Sequence, residues 1–375
     1  MAKRISAIFF LTAIFAVSGI LLLRLVTGEG GLELSLQSLV SGNFSRQVED
    51  FSRENMPLRS LLRQVSIDWQ IFGGATEVDG ILVGDTMLMK NVEPPDEEIT
   101  AQNQQAIADF AQNSSQRTYV MLLPTACAIK QQELPEYITL FNQRSFIDDV
   151  YTQLSGSVSV VDTYLKLLSG MDEYIYYRTE DNLTPMGGYL VYEQLGKRLG
   201  ITPLRTIDQF DLDYSAGYFY GDLYEELPYH NIDLDRIVMY RFSKYRREYK
   251  VSHYQDGEKR TYYTLFPEFV TQLRPEDAYN VVLGGFTPVT TLKSSAGNDN
   301  SLVIFADETV LSYIPFLMVH YSDIAIVDVQ RATPEDLAVL QLEDYNQVLF
   351  GVSVDTFMHQ DLSGVLANYL PETEE

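Results

Sequence analysis

The chain alternates between two hydrophobic periods. Apolar residues at helical spacing (Ile107 and Phe110 within 97–113, and the runs 144–154 and 186–199) predict helices. Short continuous apolar runs predict buried strands: "TYVMLLP" at 118–124, "SVSVVD" at 157–162, "YIYY" at 174–177, "SLVIFAD" at 301–307, "DIAIVD" at 323–328 and "QVLFGVS" at 347–353. Two further helices, "VLSYIPFLMVHY" and "PEDLAVLQL", fall between the last three. Strands alternating with helices call for a doubly wound, mostly parallel α/β sheet. Between the halves, "RIVMYRF", "YKVSHY" and "RTYYTLF" alternate with period two, so 205–295 reads as an antiparallel, β-rich insert.

Ahead of this domain, Phe44, Val48, Phe51, Leu58, Leu61, Leu62, Val65 and Trp69 suggest amphipathic helices broken near Pro57 and ended by Gly73-Gly74. "VDGILVGDTMLMK" reads as a hairpin turning at Gly84-Asp85. The expected organisation is therefore 1–28 as a cytoplasmic tip and anchor, and 29–115 as a helical and hairpin segment. The α/β domain follows as two halves, 116–204 and 296–375, around the insert 205–295.

The anchor rests on Ile5 to Leu23, 19 residues without a charge, near the length of a membrane-spanning helix. Lys3 and Arg4 precede it, which places the N-terminus in the cytoplasm and the bulk of the chain outside. The rival is a cleaved signal peptide; the run is long for one, and no small-x-small site directly follows. Either reading exports the remainder.

Charge narrows the partners. The formal net charge is -25, and after Lys3, Arg4 and Arg24 the chain holds 24 basic residues against 52 acidic ones. Such a surface repels phosphate backbones, so nucleic acid is excluded as a partner. One cysteine, Cys127, excludes an internal disulfide, and its apolar setting reads as a buried small hydrophobe. Four widely spaced histidines form no metal-binding pattern, and no cofactor is expected.

The order of landmarks resembles the bacterial DHHW family, exported and membrane-anchored relatives of the SGNH hydrolases that are similar to alginate-type polysaccharide O-acetyltransferases. The resemblance rests on "LSLQSLVSGNFSRQVEDFSRENMPLR", "YVMLLPTACAIKQQELPEY", "YYRT" with "MGGYLVYEQL", "YFYGDLY" and "SYIPFL" with "SDIAIVD". It implies an SGNH-like fold, a cell-envelope location and a glycan as binding partner, with a membrane acyltransferase as a second partner. It also implies catalytic stations that this sequence has lost. An Asp-His-His-Trp motif is expected where Glu180, Asp181, Asn182 and Leu183 stand, so Asn182 replaces the histidine. A nucleophilic serine is expected where Glu308 follows Asp307. An oxyanion-binding asparagine is expected at Phe286.

Acyl transfer needs a nucleophile, a base near neutral pKa and donors aimed at the oxyanion. Asn182, Glu308 and Phe286 supply none of these, so the expected function is non-catalytic binding or scaffolding. The alternative is an active O-acetyltransferase or acetylesterase using a displaced hydroxyl, Thr309 or Ser312. The carboxylates Glu180, Asp181, Asp307 and Glu308 are of the kind that hold Ca²⁺ or Mg²⁺, but no spacing is diagnostic and solvated acidic turns explain them as well. Tyr214, Tyr218, Tyr220 and Tyr224 either line a saccharide groove or occupy ordinary half-buried strand positions.

Overall fold

The structure is a computed structural model that describes residues 59–214, 218–242, 247–267, 280–296 and 299–369. The proposed anchor, Ile5–Leu23, lies outside the described residues, and among those described no helix is long and apolar enough to cross a membrane. The chain divides after Gly73 into two units. In the first, the described element is the helix Arg59–Phe72. It ends where Gly73 donates its N–H to Trp69 O, so the stop at the glycine pair is met.

Among its described residues the second unit carries thirteen strands: β1 Glu77–Val78, β2 Ile81–Val83, β3 Leu88–Lys90, β4 Arg117–Leu123, β5 Ser159–Val160, β6 Phe210–Tyr214, β7 Val238–Phe242, β8 Tyr249–Gln255, β9 Glu258–Tyr262, β10 Val289–Ser294, β11 Ser301–Ala306, β12 Asp323–Asp328 and β13 Gln347–Ser353. Eight form one sheet in the order β5-β4-β13-β11-β12-β10-β8-β9. The first five strands run parallel, and β10, β8 and β9 continue the sheet antiparallel.

Both faces of the parallel part are covered, which explains its unbroken apolar strands. β11 is buried along its whole length. On one face, Phe110 of the helix Glu97–Asn113 meets Phe305 and Phe350 edge-on, with ring centroids 6.0 and 5.4 Å apart. On the other face, Gly351 makes room for Tyr313 of the helix Val310–Leu317; a Cβ there would lie 2.9 Å from the tyrosine oxygen. Phe350 and Gly351 are consecutive, and strand alternation sends them to opposite faces. The helix Pro185–Arg198 packs on Val310–Leu317 so closely that a Cβ on Gly188 would fall 2.0 Å from Ser312 O.

Several sequence expectations change in detail. The segment 205–295 does not stand wholly apart. β6 and β7 make a separate two-stranded ribbon, but β8, β9 and β10 join the main sheet, because β10 pairs with β12 over five residues. "YIYY" is not a strand: Tyr176 forms an isolated bridge with Leu183, and the buried rings of Tyr176 and Tyr177 explain the aromatic run. The hairpin gains a third strand through a turn at Asp79-Gly80, both with positive φ. The helix after β12 stops at Leu337.

Candidate functional site

The parallel register places the ends of β4, β11, β12 and β13 at one edge, with Leu123, Ala306, Asp328 and Ser353 as their last residues. A cleft of about 670 Å³ opens there, where open α/β sheets place their ligands. Asp181, Asn182, Phe286, Asp307 and Glu308 all line it. Glu180 lines an adjoining cavity of about 540 Å³, which shares Lys90, Asp181, Asp222 and Asp355 with the cleft. The stretches 180–182, 286 and 307–308 thus meet at one place, the first more than a hundred residues from the other two.

The turn 176–184 is held from behind by a residue that the sequence did not single out. Asp235 is fully buried; its carboxylate accepts the N–H groups of Arg178 (2.9 Å) and Thr179 (2.7 Å). It also accepts the hydroxyls of Tyr174 and Thr179. The turn then enters the helix Pro185–Arg198 through Thr184, whose side chain accepts the Gly187 N–H.

Glu180 points the other way and is 8% exposed. Its carboxyl accepts the N–H groups of Asp181 (3.1 Å) and Asp222 (2.9 Å) and the Asn182 amide (3.3 Å). Gly221 permits this approach, since a Cβ would lie 2.5 Å from that of Glu180. Asn182 is therefore occupied as a donor to Glu180.

Asp307 follows β11 and ties the cleft floor together. One oxygen accepts the hydroxyl and N–H of Thr309, and the other accepts the Ser353 N–H at 2.7 Å. Glu308 faces the cleft beside it. Ser312 is buried and donates to Thr309 O at 2.7 Å, so it does not reach the opening.

The third station is the loop 283–288. Leu283, Gly284 and Gly285 all have positive φ, a path that glycine eases at two of the three positions. His253 on β8 fixes it: Nε2 lies 2.9 Å from Leu283 O, and Nδ1 lies 2.9 Å from the Thr287 hydroxyl. A carbonyl only accepts, so Nε2 carries the proton and Nδ1 accepts from threonine. Burial lowers the pKa of this imidazole, which suits a neutral structural role. Phe286 packs under the Arg331 guanidinium, 5.2 Å from the ring centroid, while Arg331 donates to Phe286 O and pairs with the buried Asp328. Asn280 also lines the cleft at this side.

The electrostatics follow from crowding. Burial pushes the Glu180 carboxyl up to about 8; the Asp222 N–H opposes this, while the charges of Asp222, Glu308 and Asp181 add to it. Burial also raises Asp181 to about 7, opposed by Lys90 and reinforced by Asp355. Glu308 rises to about 7 through burial, opposed by Arg331 and reinforced by Asp222, Asp307 and Asp328. Lys90 pairs with Asp355 at 2.7 Å; although burial pulls its ammonium down, that partner raises it overall. No group of three His, Cys, Asp or Glu among the described residues is arranged to hold a metal ion.

Neither histidine nor cysteine occurs among the described residues lining the cleft. The hydroxyls there are committed. Tyr176 donates to Pro124 O, Thr309 to Asp307, and Ser353 to Thr356. Thr125 accepts from the Gln143 amide at 2.7 Å and neighbours the buried Cys127. The arrangement can accept hydrogen bonds and repel anions, but it lacks a hydroxyl beside an imidazole. The four tyrosines divide: Tyr214 and Tyr218 line a separate groove of about 360 Å³, whereas Tyr220 and Tyr224 stack on each other with centroids 3.7 Å apart.

No curated protein matches the chain. Among solved structures, it is similar to a DHHW family protein from Eubacterium siraeum, with a TM-score of 0.67 and 22% identity, covering 79% of this chain and 98% of that one. It is also similar to Bacillus cereus PatB1 with a sulfonyl adduct, with a TM-score of 0.59 and 15% identity, covering 76% of this chain and 97% of that one. These likenesses show a mixed α/β fold with a large, mostly parallel central sheet. The family description "DHHW protein" matches residues 95–327, more than half of the sequence. The chain belongs to the DHHW family.

Proposed function

We propose that this chain is a non-catalytic member of its family, an exported cell-envelope protein anchored by Ile5–Leu23. It binds a cell-wall or exopolysaccharide glycan and serves as a scaffold in its modification, alongside a membrane acyltransferase. The observation that carries this reading is the cleft: Asn182, Phe286 and Glu308 meet there, no imidazole lines it among the described residues, and its hydroxyls are committed to protein partners. A cleft bordered by Asp181, Asp222, Asp307, Glu308 and Asp355 offers acceptors for sugar hydroxyls and disfavours anionic ligands. The glycan itself comes from the resemblance to polysaccharide O-acetyltransferases.

One contact favours the alternative of an active O-acetyltransferase or acetylesterase with relocated residues: the Thr309 hydroxyl donates to the Asp307 carboxylate within the cleft. Incubation with a chromogenic acetyl ester and a serine-reactive fluorophosphonate separates the two. The non-catalytic reading expects neither turnover nor labelling, together with retention on immobilised cell-wall glycan that weakens in Asp222→Ala. Turnover or labelling abolished by Thr309→Ala or Ser312→Ala would establish the alternative instead.

A further inference from the structure

The helix Arg59–Phe72 leaves an apolar stripe uncovered. Val65, Trp69 and Phe72 are 55%, 73% and 85% exposed, although Ile67 on the opposite side is buried. Their spacing of four and three residues puts all three within one narrow arc of the helix. Trp69 and Phe72 reinforce the stripe, with ring centroids 6.2 Å apart. Leaving three large apolar side chains on one face is costly in water, so the stripe asks for a cover.

Two features of the chain indicate what covers it. The helix carries Arg59 and Arg63 against one acid, Asp68, a local cationic balance in a chain of net charge -25. Its first residue also follows Leu23, the end of the uncharged 19-residue run, by only 35 intervening residues. An apolar stripe with tryptophan and phenylalanine, on a helix with basic residues, fits the headgroup boundary of an anionic bilayer. We infer that Arg59–Phe72 lies on the membrane surface, with Val65, Trp69 and Phe72 inserted at the level of the headgroups. This rests on the reading that Ile5–Leu23 anchors the chain.

Trp69 is the single tryptophan of the sequence, which makes the test direct. The full chain is reconstituted into vesicles of phosphatidylcholine and phosphatidylglycerol, with and without brominated acyl chains. Brominated lipid should remove most of the Trp69 emission, and acrylamide should quench it weakly. The double variant Val65→Asp, Phe72→Asp should lose the bromine quenching while still floating with the vesicles after an alkaline carbonate wash. Wild type that floats but is quenched by acrylamide and not by bromine overturns the inference and leaves the anchor standing. Release by the carbonate wash removes the anchor reading; bromine quenching before the wash then still decides the helix. Emission shielded from both quenchers, with cross-linking between chains through the stripe, assigns it to a second copy and overturns the membrane assignment.

Discussion

The carboxylate of Asp235 accepts the Thr179 N–H at 2.7 Å, although 56 positions of sequence separate them. Together with the Arg178 N–H and two hydroxyls, this bond holds the turn that presents Glu180, Asp181 and Asn182 to the cleft. Replacing the acceptor strands several buried donors, each costing about 1–3 kcal/mol when left without a partner. Asp235→Ala should therefore lower stability by about 3 kcal/mol or more in urea unfolding. A loss below about 0.5 kcal/mol would mean that the turn is held by something else.

Gly188 supports the second prediction. A methyl group there overlaps the backbone oxygen of Ser312, and neither helix can yield without moving the other. Gly188→Ala should cost about 1–3 kcal/mol, the usual range for overpacking. Gly156→Ala is the control: nothing lies within 4 Å of its Cβ, and the change should stay within about 0.5 kcal/mol. Parallel thermal melts of the two variants decide it.

The third prediction concerns pH. Glu180 shifts from an ordinary 4.5 to about 8, and Glu308 from 4.5 to about 7. Below 4.5 both folded and unfolded chains keep these protons, and the groups contribute no difference. Between 4.5 and 8 the unfolded chain has released protons that the folded chain retains, so stability falls as pH rises. Above 8 the penalty is constant. Glu180→Gln removes the titrating group while keeping its shape. It should flatten the decline between pH 5 and 8, read as the difference in urea midpoint from wild type; equal slopes would count against the assignment.

A fourth prediction addresses the proposed loss of catalysis. Because Asn182, Phe286 and Glu308 meet at one cleft, restoring the expected groups together should restore reactivity. The variant Asn182→His, Phe286→Asn, Glu308→Ser should be labelled by fluorophosphonate at position 308, whereas Glu308→Ser alone should label far more slowly for want of a base. Equal labelling of the single and triple variants would show that the cleft does not bring 182 and 308 within reach.

Much of this was legible in the sequence because it is a matter of local pattern. The continuous apolar runs of β11, β12 and β13, the helix Glu97–Asn113 and the Gly73 stop each follow from residue order, since a strand buried on both faces must be apolar throughout. The identities of residues 182, 286 and 308 were equally readable, because the presence or absence of a hydroxyl or imidazole is a property of the residue itself. "YIYY" misled because alternating aromatics are buried equally well by a turn packed against neighbours as by a strand.

Tertiary structure alone decided the rest. Asp235 carries no signature, yet folding places it behind the cleft turn, where its carboxylate accepts from four donors. The pairing of β10 with β12 turned part of an apparent insert into the edge of the main sheet, because backbone hydrogen bonds carry no residue code. The raised pKa values of Glu180, Asp181 and Glu308 also appear only when separate turns are brought to one buried edge. Sequence determined which groups exist; folding determined which of them share a site, because desolvation and Coulomb repulsion depend on distance in space.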